Sequence, residues 1–94
     1  MSSSGAITRV LKIVNEKGLH ARASAKFVQL VEKYDAKVQV SRNGESAGGD
    51  SIMGLMMLAA GIGTTIEVSA SGPQAREVMD ALTALVSGKF GEEE

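Results

Sequence analysis

The 94 residues contain no cysteine, no tryptophan, a single proline and a single histidine. Without cysteine there is no disulfide, no thiolate metal site and no cysteine nucleophile, so the fold must rest on packing and hydrogen bonds, as suits a reducing compartment. A lone histidine leaves any metal ion to His20 and carboxylates, and no carboxylate stands at ligand spacing beside it in the chain, so neither a metal nor a cofactor is expected. An excess of one charge is missing too: ten lysines and arginines face eleven acidic residues, a formal net charge of -1. With only three aromatics for base stacking, that balance argues against nucleic acid as a partner. The longest weakly polar run, Ile52 to Gly63, falls short of the roughly 20 residues that cross a bilayer, so no membrane insertion is expected. The opening MSSSGAITRV lacks a basic segment ahead of an apolar one. It does not read as a secretory signal, and a cytoplasmic protein is expected.

What is present is a composition of 44% hydrophobic and 22% charged residues, too apolar for a disordered chain. The length suits one domain over 1–94, with 1–6 and 91–94 expected to be mobile ends. Alternation marks the strands. Arg9–Val14 sets Leu11 and Ile13 against Lys12, Lys37–Arg42 puts Val38 and Val40 on one face, and Thr64–Ala70 alternates Ile66, Val68 and Ala70 with polar residues. Asn43 and Gly44 suit the positive φ angles of a tight hairpin, which predicts a short strand over Glu45–Gly48. Spacings of three and four mark helices over Ala21–Tyr34, through Phe27, Leu30, Val31 and Tyr34, and over Pro73–Val86, through Ala75, Val78, Met79, Leu82, Leu85 and Val86. A shorter helix over Ser51–Ala60 carries more apolar residues than one buried stripe can use, so some must face water or a partner. The order strand, helix, strand, strand, helix, strand, helix predicts an α+β sandwich with helices on one sheet face and solvent on the other.

The stretch KGLHARAS places His20 at or beside the start of the first helix, where the backbone amides of Ala21 and Arg22 lack intrahelical acceptors. Such a helix start attracts anions and disfavours a protonated ring. It suits a neutral, nucleophilic imidazole that then receives negative charge, such as a phosphoryl group. Arg22 adds a planar fork of donors matched to phosphate oxygens, and Gly18 permits a turn that lets the ring stand clear. The bland alternative is a polar surface histidine. A serine-based triad has little support: Ser24 follows His20 by one helical turn, with no sign of activation.

The segments KGLHARASAKFV (Lys17–Val28), GDSIMGLMMLAA (Gly49–Ala60) and GTTIEVSASG (Gly63–Gly72), with the Asn43–Gly44 hairpin, closely resemble the HPr family, histidine-containing phosphocarriers of the bacterial phosphotransferase system. The resemblance runs from about Thr8 to Val86. It implies an open-faced β-sandwich: a four-stranded antiparallel sheet in the order 1-4-2-3 with three helices on one face. It further implies that His20 accepts a phosphoryl group through Nδ1 from enzyme I, ultimately from phosphoenolpyruvate, and passes it to an enzyme IIA domain, in sugar uptake or in the nitrogen-type regulatory branch. Such a monomeric carrier has a covalent phosphohistidine intermediate without being a self-contained enzyme. An exposed ring, two helix amides and Arg22 make a sufficient half-site, the partner supplying the rest.

Where many members have proline this chain has Ala23, and where lysine is common before the family's regulatory serine it has Asp50. The regulatory serine matches Ser51, the substrate of an HPr kinase/phosphorylase in members that have one; the competing role is simply to cap the second helix. Ile52, Met53 and Met56 match the family's partner-binding patch, leaving Leu55 and Leu58 for the core, and Lys17, Arg22 and Lys26 are candidates for attracting acidic partners. Two other classes stand beside the carrier. One is a non-catalytic regulatory module that binds partners through the Ile52/Met53/Met56 patch. The other, a small-molecule or RNA-binding α+β domain, is disfavoured by the few aromatics and the balanced charge.

Overall fold

Period-two patterning builds the sheet. In the computed structural model, which describes residues 6–92, β1 (Ile7–Lys12), β2 (Lys37–Arg42), β3 (Glu45–Gly48) and β4 (Thr65–Ser71) form one antiparallel sheet in the order β1-β4-β2-β3. Register places Leu11 beside Ile66 and Val40 beside Val68, so each strand's apolar set falls on the same face. The helices α1 (Ala21–Val31), α2 (Ile52–Met57) and α3 (Ala75–Ser87) supply the rest of the core, through Ala23, Phe27, Val28 and Val31, Leu55, and Val78, Met79, Leu82 and Val86. The opposite face is polar apart from Val10.

Local chemistry sets the connections. Asn43 and Gly44 have φ of 53° and 82°, the pair of positive angles that a two-residue hairpin matched to strand twist requires. Strand β1 begins two residues earlier than its alternation suggests, because Ile7 still pairs with Ala70. Pro73 lies in the turn ahead of α3, where Gln74 is the N-cap. Leu58, buried, already caps α2, so that helix is a turn shorter than its apolar run. Arg9 ties the sheet to α3, its guanidinium donating to Thr83 Oγ1 at 3.0 Å and to Asp80 Oδ1 at 2.8 Å.

Gly91 and Glu92 fall in the stretch expected to be a mobile end. After Gly88 the chain makes one 3-10 turn, Lys89–Gly91, which buries Phe90 completely and carries Glu92 onto the body of the protein. Lys89, Phe90 and Gly91 all have positive φ (60°, 56° and 75°). For the two non-glycine residues that costs about 1–2 kcal/mol each, comparable with the roughly 1.5–3 kcal/mol that burying a phenylalanine contributes. Further contacts must therefore hold the turn, and two exist: Lys26 Nζ donates to the Phe90 carbonyl at 2.6 Å, and Glu92 is bonded to Asn15 and His20. Of the rest of the two predicted ends, Ala6 is exposed and precedes β1, and 1–5 and 93–94 lie outside the described residues.

Candidate functional site

The loop between β1 and α1 is folded on itself. Asn15, fully buried, donates through Nδ2 to the Gly18 carbonyl at 2.9 Å, and the Gly18 amide donates back to the Asn15 carbonyl at 3.2 Å. Gly18 has φ +63°, and a Cβ there would press on the Ala60 carbonyl oxygen and lie 2.8 Å from Gly61 Cα. Only glycine fits that approach, which lets the Leu19 amide donate to Ala60 O at 3.0 Å. The chain then leaves in extended conformation at His20 (φ −76°, ψ −177°), the N-cap of α1. Its carbonyl accepts the first helical bond, from Ser24 N at 2.8 Å, but its side chain makes no capping bond. The amides of Ala21, Arg22 and Ala23 therefore find no backbone acceptor among the described residues. Ser24, buried, donates its hydroxyl to the Leu19 carbonyl and serves the loop.

The ring of His20 is not the freely exposed group that the sequence suggests: its side chain keeps 27% of its surface. The cover is Glu92, a carboxylate from 72 residues downstream, whose Oε2 is hydrogen-bonded to His20 Nε2. Its other oxygen, Oε1, accepts from Asn15 Nδ2 at 3.1 Å, and the Glu92 side chain is only 14% exposed. The hydrogen bond with His20 is the main reason that the Glu92 carboxyl stays below its ordinary range; burial opposes it, and the Asn15 bond and electrostatic attraction toward His20 and Lys17 support it. Spacing near His20 hid this carboxylate, and the turn after α3 delivers it. The sequence reading singled out neither Asn15 nor Glu92, the two residues that the structure brings against the ring of His20 and its loop.

The other predicted residues divide. Arg22 is exposed on the first turn of α1, with no ion pair among the described residues. Lys17 is exposed and joins Leu19, His20, Met56, Ala59, Ala60 and Gly61 around a shallow recess of about 290 Å³. Lys26, a candidate for attracting acidic partners, donates through Nζ to the Phe90 carbonyl. Ser51 is the N-cap of α2, its Oγ accepting from Gly54 N at 3.0 Å. Ile52, Met53 and Met56 are exposed, Met53 at 68%, and Met57 and Ile62 extend the same apolar character. Met57 was hinted at by the apolar excess of α2. Leu55 and Leu58 are in the core.

A partly exposed imidazole at an open helix start, beside an exposed apolar helix and a shallow recess, is an arrangement chemically able to take up a transient anionic group. The comparisons with known proteins supply the particular family. A family model described as the PTS HPr component phosphorylation site matches residues 7–88. The chain is 51% identical over 88 residues to the phosphocarrier protein HPr of Cupriavidus necator, covering 94% of this chain and 99% of that protein. It is 38% identical over 86 residues to the phosphocarrier protein NPr of Shewanella violacea, covering 92% and 94%. The crystal structure of HPr-C-His from Thermoanaerobacter tengcongensis matches with a TM-score of 0.88 at 36% identity, over 94% of this chain and 99% of that one. The chain belongs to the HPr family, the phosphocarriers of the phosphotransferase system.

Proposed function

We propose that this phosphocarrier takes its phosphoryl group on His20 from enzyme I, ultimately from phosphoenolpyruvate, and hands it to an enzyme IIA domain. The observation that carries the reading is the only histidine of the chain standing half-exposed at the start of α1, beside three amides without backbone acceptors. Phosphoryl transfer asks mainly for positioning and charge stabilisation. The helix start favours an added negative charge by about 0.3–1 kcal/mol, and the Arg22 guanidinium is free to swing onto the phosphoryl oxygens. These modest contributions suit a carrier, which must release what it accepts. Ile52, Met53 and Met56, with Lys17 beside them, form the docking surface; unbranched methionines adapt to more than one partner. The carrier works as a cytoplasmic monomer, and among the described residues no helix is long and apolar enough to cross a membrane.

Ser51 is the proposed target of an HPr kinase/phosphorylase, its hydroxyl lying at the surface end of α2. A phosphate there would gain the helix start and meet Asp50 as an unfavourable neighbour. Sugar uptake and nitrogen-type signalling differ in the acceptor, so transfer to purified IIA domains of each type separates them. The primary test is incubation with phosphoenolpyruvate, magnesium and a cognate enzyme I. One acid-labile phosphoryl group on His20 is expected, and none on the His20→Ala variant; a wild-type chain that stays unlabelled overturns the proposal. If His20→Ala still binds its partners and still exerts every effect of the wild type, the chain is a binding module and not a carrier.

A further inference from the structure

We propose that Met53, Met56 and Met57 form a reversible oxidation site: a peroxide converts their thioethers to sulfoxides, which weakens docking to enzyme I until a thiol-dependent reductase restores them. The proposal rests on the docking role given above to Met53 and Met56 and adds a regulation to it. The chain has no cysteine, so methionine carries all of its sulfur. Positions 53, 56 and 57 stand three and four residues apart on α2, which sets their side chains along one ridge of the helix. Met57 is 74% exposed, Met53 68% and Met56 38%, whereas Met79, in the core, has no exposed surface. Met56 also borders the recess that holds His20 and Lys17.

This division separates docking from stability. Leu55 and Leu58, the residues of the same segment that fill the core, are hydrocarbon and resist peroxide. Oxygen added at Met53 or Met57 meets water and displaces no packed atom, so the fold survives it. The contact surface does not. Oxidation turns a soft, adaptable apolar side chain into a polar, chiral one, and a sulfoxide oxygen that loses its water against a partner without gaining a donor is penalised. The exposed neighbours Ile52 and Ile62 carry no sulfur, so docking declines in steps with the number of sulfoxides formed.

The chemistry balances with two reactants from outside the chain. In the forward direction the thioether lone pair forms a bond to one oxygen of hydrogen peroxide. The O–O bond breaks, its electron pair leaves on hydroxide, and that hydroxide takes the remaining proton from the new S–OH group to become water. Sulfur is oxidised by two electrons and the peroxide is reduced by two. In the return direction two thiols become a disulfide and the sulfoxide oxygen leaves as water. Lacking cysteine, the chain cannot supply those thiols itself, and they come from the reductase.

The test treats the full chain with hydrogen peroxide and removes the excess with catalase. Peptide mass mapping should find oxygen on Met57 and Met53 first, then on Met56, with Met79 untouched; Met1, outside the described residues, is read on its own peptide. With the sulfoxides in place, the KM of enzyme I for this chain should rise about tenfold at unchanged kcat. The thermal unfolding midpoint should hold, and methionine sulfoxide reductases with dithiothreitol should restore the KM. An unchanged KM overturns the proposal, as does oxidation of Met79 in step with the others or a melted fold, either of which marks damage. The variant Met53→Leu/Met56→Leu/Met57→Leu is compared with its own untreated form and should not respond to peroxide; an equal loss there assigns the effect elsewhere and overturns the proposal too. An untreated wild-type chain that enzyme I cannot label overturns the carrier function itself, whereas an oxidised chain labelled as well as the untreated one overturns this proposal alone.

Discussion

Helices α1 and α2 begin in opposite ways. Ser51 closes the start of α2 with its own hydroxyl, bonded to Gly54 N, whereas His20 occupies the same N-cap position of α1 and contributes no side-chain bond to its helix. A serine-type cap satisfies one orphan amide and contributes about 0.5–2 kcal/mol. At α1 that stabilisation is forgone, and the ring turns the other way, to the Glu92 carboxylate. The difference teaches what a working helix start requires. On the proposed function, donors meant for a transient anion are left open, and the side chain beside them is held from outside the helix. The bracing comes from the Asn15–Gly18 loop on one side and the turn through Phe90 on the other.

The open start should break most readily at Gly18. In Gly18→Ala a methyl group must enter the space of the Ala60 carbonyl at a positive φ, so urea unfolding should show a loss of at least about 2 kcal/mol, and the displaced His20 should accept phosphate more slowly. At the closed start, Ser51→Ala should cost about 1 kcal/mol, with phosphorylation of His20 by enzyme I unchanged. A rate that falls in step with Ser51→Ala would show that the two starts are coupled. Smaller again is Met53→Ser, an exposed position. Stability should stay within about 0.5 kcal/mol, while calorimetry should show binding to enzyme I weakened about threefold, the equivalent of about 0.7 kcal/mol.

How far these two sites could be read from the sequence depends on the range of the interactions. Strands and helices announce themselves through local periodicity, and the pattern Val38, Val40, Ile66, Val68 fixes which face is buried before any partner strand is known. The place of His20 at the start of α1 was legible because glycine, a lone imidazole and a helical run stand in succession. Ser51 was legible as a cap for the same reason. Glu92 was not: it is one of three consecutive glutamates, in a stretch that reads as a mobile end, and only the left-handed turn before it carries its carboxylate to the ring. A signal did exist in Phe90, a large apolar residue stranded just beyond the helix-ending Gly88, since such a side chain must be buried somewhere and must draw its neighbours with it. Asn15 left no such trace. A buried asparagine is distinguishable from an exposed one only once its partners are in place.

The smallest expected effect concerns the latch itself and is a matter of sign. Because the folded state holds the Glu92 carboxyl below its ordinary range, chiefly through the His20 hydrogen bond, the unfolded chain binds a proton there that the folded chain does not. In that window stability must fall as pH falls. The contribution is complete above the unfolded carboxylate value of about 4.3, and it is lost as pH drops through the lower folded value. The groups facing Glu92 are His20, Lys17 and the uncharged Asn15, and none of them loses positive charge on acidification, so they cannot reverse the sign. Thermal unfolding of wild type and Glu92→Gln across this range should therefore show the wild type ahead near neutral pH and the two curves converging in acid. Curves that stay parallel would mean that the carboxylate is not ionised against the ring, and the helix start of α1 would then be as unbraced as it is uncapped.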